Sequence, residues 1–168
     1  MSESYFDQKK SRPVSDVPKD VFLNSLSTVD RENIEAVIAA FESLDSGVWK
    51  NGALMAVGKS VAEETRGIPR KDIDLLILED GGTDFQTFLS RARALVETLH
   101  FTLGDITYPD LHYDYGHDGS VKIKPPSGTL VDLLSSISTS SVDETLLRMR
   151  EKTSSLLMPH DFCILARI

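Results

Sequence analysis

Two short apolar runs, each meeting a conspicuous polar residue at one end, constrain this chain most. Leu54-Met55-Ala56-Val57 leads into Gly58-Lys59-Ser60, and Asp72-Ile73-Asp74 opens a second run that continues through Leu78. Short apolar runs bounded by glycine, proline and charge read as buried strands. On a strand, Asp72 and Asp74 point to one face, roughly 6–7 Å apart along the chain. Carboxylates crowded onto one face repel each other, and a divalent cation relieves that repulsion. The plainer reading is a solvated strand start paired with Arg70 or Lys71.

The rest of the chain supplies the elements around these runs. Residues 1–18 mix Ser, Lys, Asp and Pro with few apolar residues and read as a mobile arm, with residues 19–168 as a single domain. Ser27 or Thr28 caps a helix through about Asp45, whose apolar face is Ile34, Val37, Ile38, Phe41 and Leu44. Trp49 reads as a packing residue. After the strand 53–57 come the Gly58 turn, a short helix near 59–65, a break at Gly67 and Pro69, and the strand 73–78. Thr83 or Asp84 caps a helix over 84–99 with an apolar stripe from Phe85 to Leu99. Residues 112–115 and 120–124 could form a hairpin across Gly116-His117-Asp118-Gly119. A strand over 129–134 and a helix over 142–152, capped by Ser140 or Ser141, follow. The tail 156–168 is apolar and fits a strand or a short helix equally.

Asp132 lies inside the apolar strand Leu130–Leu134, where an ionised carboxylate is costly to bury without compensation. If that strand neighbours 72–78, three carboxylates converge on one face. Such a set can hold two Mg²⁺ ions about 3.5–4 Å apart against the phosphates of a nucleotide. Gly58, between a strand and a helix, lets backbone approach a phosphate closely. Gly58-Lys59-Ser60 is not the end of a P-loop, because the glycine required five residues before Gly58 is Ala53. His112 and His117 fit no standard metal spacing, and Lys122 and Lys124 either line a cleft or, more commonly for alternating lysines, mark the wet face of an edge strand.

A strand ending in Gly-Ser or Gly-Gly, a short helix, an Asp-apolar-Asp pair and a third Asp on a later strand form the signature of the nucleotidyltransferase superfamily. This chain resembles that superfamily over about residues 30–135. The stretch GKSVAEETRGIPRKDIDLLIL looks most like the AbiEii-type toxins and the aminoglycoside and lincosamide nucleotidyltransferases, and SGTLVDLL is similar to the family's third-aspartate strand. The resemblance implies that Asp72, Asp74 and Asp132 bind the two metal ions, with Asp132 also serving or helping as base on the acceptor hydroxyl. It implies that Gly58 and Ser60 contact the triphosphate of an NTP, with ATP expected. Arg66, Arg70 and Lys71 become candidates for phosphate or acceptor contacts, as their charge also suggests. Lys59 departs from the family's usual Ser or Gly; its ammonium either grips phosphate or repels metal. The ending at Ile168 departs too, and implies a minimal enzyme needing a partner or a C-terminally truncated one.

Bulk properties narrow the function classes. With 18 Lys and Arg against 26 Asp and Glu, the formal net charge of −8 argues against an extended grip on nucleic acid. No run approaches membrane-spanning length, and the first residues lack a secretory h-region. The single cysteine, Cys163, excludes an intramolecular disulfide and fits a reducing, cytoplasmic setting. The expected fold is α/β (α+β): a short mixed sheet, helices packed on one face, carboxylates on the opposite, open side. The expected function is Mg²⁺-dependent transfer of a nucleoside monophosphate from an NTP to a hydroxyl of a small molecule, protein or RNA. The rival is a noncatalytic binding module of the same fold, such as a toxin–antitoxin component with a protein partner.

Overall fold

The computed structural model describes residues 15–44, 47–58, 61, 71–109, 119–136, 139–151 and 161–168. Among these are strands β1 (Ser15–Asp16), β2 (Ala53–Val57), β3 (Asp72–Leu78), β4 (Thr102–Thr107), β5 (Ser120–Lys124), β6 (Leu130–Ser135) and β7 (Asp161–Arg167). The helices are α1 (Lys19–Ser25), α2 (Thr28–Glu42), α3 (Phe85–Leu99) and α4 (Val142–Arg150). The strands form one mixed sheet in the order β1-β7-β2-β3-β6-β5-β4. β3 runs antiparallel to β2 and parallel to β6, so the strand carrying Asp72 and Asp74 lies inside the sheet.

Alternation along β3 and β6 sorts their side chains between two apolar layers. Ile73, Leu75, Ile77, Val131 and Leu133 join the larger core with Ile34, Val37 and Phe41 of α2 and Phe88, Leu89 and Leu95 of α3. Leu76, Leu78 and, partly, Leu134 face the other way, into a smaller cluster with Val142, Leu146 and Met149 of α4. Three helices thus occupy the expected face. Among the described residues, α4 covers part of the opposite face and leaves the end where β3 and β6 begin uncovered. That cover exists because α4 carries an apolar stripe and its first turn is tied to the sheet: the Val142 amide donates to Asp80 Oδ1 at 2.7 Å.

Local chemistry explains the element ends. The Ser27, Asp84 and Ser141 side chains accept from the amides of Asp30, Thr87 and Glu144, capping α2, α3 and α4. Hydrogen bonds from Thr87 hold the Asp84 carboxyl below its ordinary pKa. Trp49 is fully buried between Phe41 and Phe88, and the Arg91 guanidinium lies 4.8 Å from its ring centroid. Arg91 also donates to both oxygens of buried Glu79, at 3.1 and 3.0 Å. Gly52 is required by space, since a Cβ there would lie 2.6 Å from Trp49 Cβ.

Two elements go beyond the sequence reading, and one reading left open is decided. Ser15–Asp16, within the expected arm, pair in parallel with β7, and residues 1–14 lie outside the described part. β5 pairs with β4, and residues 112–115, the other half of the expected hairpin, lie outside the described part. The ambiguous tail is a strand, held between β1 and β2. The short helix expected near 59–65 is described only at Val61, which is buried and donates its amide to the Gly58 carbonyl.

The loop entering β6 is clamped to α2. Asp30, in the first turn of α2, accepts from the Thr129 amide and hydroxyl at 2.7 Å each, and Asn33 Nδ2 donates to the Ser127 carbonyl at 2.8 Å. Replacing Asp30 by Ala leaves the Thr129 donors without this acceptor, and is expected to lower the unfolding free energy by about 2 kcal/mol, read as a lower urea midpoint. An unchanged midpoint would show that solvent replaces the clamp at no cost.

Candidate metal centre

Parallel pairing of β3 with β6 sets Asp74 directly opposite Asp132, and Asp72 opposite Leu130. Paired residues share a face, and residues two apart along a strand share it as well. All three carboxylates therefore stand at the open end of the sheet. One oxygen from each lies within 4.8 Å of the others, and all three side chains are half-buried. Oxygens on opposite sides of a Mg²⁺ ion lie about 4.0–4.2 Å apart, so the spacing fits a shared divalent cation with small side-chain adjustment.

The electrostatics fit as well. Asp132 Oδ1 is buried and has no hydrogen-bond partner among the described residues. An orphaned carboxylate oxygen is costly unless something positive meets it. Burial pushes the Asp132 carboxyl above its ordinary pKa; Lys122 pulls it down, Asp72 pushes it up, and the Ser120 hydroxyl pulls it down. Burial outweighs the rest. Lys122, directly opposite Asp132 on β5, brings its Nζ to 3.9 Å from Asp72 Oδ2.

The structure brings the three aspartates together but leaves part of the anticipated phosphate set undecided. Lys59, Ser60, Arg66 and Arg70 lie outside the described residues. Lys71 is exposed, immediately before Asp72. Gly58 does make the anticipated turn, at φ +68°, where a side chain is strained though space is open. Its amide, however, donates to the Asp161 carbonyl at 3.0 Å, so this N–H serves the sheet. Cys163 is a buried core thiol, pushed up to about 12 by burial, and is no nucleophile. Lys122 is the residue whose role sequence reasoning left open between a cleft and an exposed edge. β5 is an inner strand, and only its register tells which of the two alternating lysines meets the carboxylates.

No protein-family model matches the chain, and no curated protein matches its sequence. Among solved structures it is similar to a CCA-adding enzyme with ATP, at 14% identity over 80% of this chain and 26% of that one, TM-score 0.46. A CCA-adding enzyme with CTP matches at 14% identity over 68% and 22%, TM-score 0.40. The poly(A) polymerase complex GLD-2–GLD-3 matches at 15% identity over 79% and 40%, TM-score 0.39. By name, all three are nucleotide-adding enzymes. The chain spans less than half the length of each structure it matches.

Because its pKa is raised, folded Asp132 holds a proton more tightly than the unfolded chain does. Its contribution to stability is greatest below the ordinary carboxylate range and is lost as pH rises through the raised value. Without divalent cations, Asp132→Asn is therefore expected to raise Tm by a few degrees at neutral pH and leave it unchanged in acid. A fall at neutral pH would mean that the ionised carboxylate is already satisfied.

Proposed function

We propose that the chain is a metal-dependent nucleotidyltransferase domain, moving a nucleoside monophosphate from an NTP, with ATP the first candidate, to an acceptor hydroxyl. The observation that carries this reading is the convergence of the Asp72, Asp74 and Asp132 oxygens within 4.8 Å on one half-buried face. A solvated strand end does not require a third carboxylate from a different strand, nor an orphaned oxygen buried among them.

In this reading Asp72 and Asp74 hold divalent cations from β3, and Asp132 completes the set from β6. Two Mg²⁺ ions supply Lewis-acid polarisation of the phosphates and neutralise the charge that gathers there. Asp132 accepts the proton of the acceptor hydroxyl as its oxygen bonds to the α-phosphorus and the bond to pyrophosphate breaks. Lys59 and Ser60 are assigned to the phosphates, and Arg66, Arg70 and Lys71 to the phosphates or the acceptor, on their position in the chain between β2 and β3. The lone buried cysteine is the ground for a cytoplasmic setting. No helix among the described residues is long and apolar enough to cross a membrane.

Incubation with Mg²⁺, each NTP and candidate hydroxyl acceptors is expected to release pyrophosphate, and Asp74→Ala is expected to reduce the rate by at least about 10³-fold. Equal turnover by the variant would sink the mechanism. Nucleotide binding without turnover for any acceptor would leave the noncatalytic module as the better account.

A further inference from the structure

The cross-strand row through the carboxylate centre does not end at Asp132. Asp74 on β3 faces Asp132 on β6, and Asp132 faces Lys122 on β5. Three consecutive strands thus contribute carboxylate, carboxylate and ammonium to one line on one face. Lys122 Nζ leans along this face to Asp72, 3.9 Å from Oδ2.

We propose that Lys122 is a positioning residue of the metal centre: its ammonium holds Asp72 in the metal-free protein and competes with the divalent cation for that carboxylate. It thereby sets the affinity of the centre. This rests on the reading of the three aspartates as a metal site. In the metal-free protein the ammonium offsets one of the three carboxylate charges. Without Lys122 the carboxylates would repel each other uncompensated; with a tightly bound Lys122 the metal would be shut out.

The geometry lies between those limits. The contact is at the outer edge of an ion pair, and both side chains are 34% exposed, so solvent screens it and its displacement costs little. The lysine stem lies against Gly104 of β4, where an added Cβ would come 3.1 Å from the Lys122 carbonyl oxygen, 3.2 Å from Lys124 Cε and 3.3 Å from Lys122 Cβ. A larger residue there would crowd both lysines. Lys124, on the same strand and the same face, is exposed and paired opposite Thr102. It carries the same charge without the position, which makes it the natural control.

The test is Mn²⁺ binding to the full chain without nucleotide, followed by the paramagnetic resonance of free Mn²⁺, with the Mn²⁺-induced rise in Tm as a second readout. Lys122→Met keeps the aliphatic stem and removes the charge. It is expected to bind Mn²⁺ about fivefold more tightly than wild type and to show a larger rise in Tm. Lys122→Arg is expected to stay within about twofold of wild type, as is Lys124→Met. A merely structural lysine would lower Tm without tightening the metal. Affinity that is unchanged or weaker in Lys122→Met, while Asp74→Asn abolishes binding, overturns the role of Lys122 and spares the metal centre. Binding that survives Asp74→Asn, or that is missing from wild type and Lys122→Met alike, overturns the metal centre itself. Equal tightening by Lys124→Met would reduce the effect to net surface charge and also overturn the proposal.

Discussion

The parallel pairing of β3 with β6 is the contact on which the rest depends. Six register partners tie Asp72–Ile77 to Leu130–Ser135, and one of them sets Asp74 against Asp132. A slip of one residue would turn Asp132 into the core under α2 and α3 and bring Val131 to the open face. The apolar alternation of both strands forbids that slip, because Ile73, Leu75, Val131 and Leu133 are all buried in the larger core. Hydrophobic burial therefore fixes the position of the charged groups. The packing of one face decides the chemistry of the other.

The second face is divided between a dry end and a polar end. α4 seals Leu76, Leu78 and Met55 at one end, while the carboxylates remain where β3 and β6 begin. This half-burial matters electrostatically. Full burial of three carboxylates would neutralise them by protonation, and full exposure would leave water and salt to screen them. At the depth observed, desolvation is large enough to raise the Asp132 pKa and leave Oδ1 without a partner among the described residues, while all three side chains stay half-buried. The Asp30–Thr129 clamp anchors the loop entering β6 three residues before Asp132, so α2 holds the site from the back of the sheet.

Much of this was legible in the chain. The strands at 53–57 and 73–78, the helices capped by Ser27, Asp84 and Ser141, and the packing role of Trp49 all follow from local patterns that tertiary structure left intact. Less legible was every feature that depends on which strand lies beside which. Residues 120–124 carry alternating lysines that look like an edge, yet β4 covers that edge. The Gly58 amide looked available to a phosphate, yet β7 takes it through the Asp161 carbonyl. The C-terminal strand's place in the sheet has no local signature at all, since an apolar segment bounded by few turn residues suits helix and strand alike.

Taken alone, the sequence determined the residue types and the face periodicity: Asp72 and Asp74 on one side of a strand, and Asp132 as a polar residue inside an apolar one. Those are properties of neighbours along the chain, set by strand geometry. Only the tertiary structure decided that Asp74, Asp132 and Lys122 form one row, that α4 closes half of their face, and that the carboxylates stop at half-burial. These are matters of register and of contact between elements far apart in the chain. The interactions that choose them are the summed burial of the two apolar layers, which no single stretch of sequence contains.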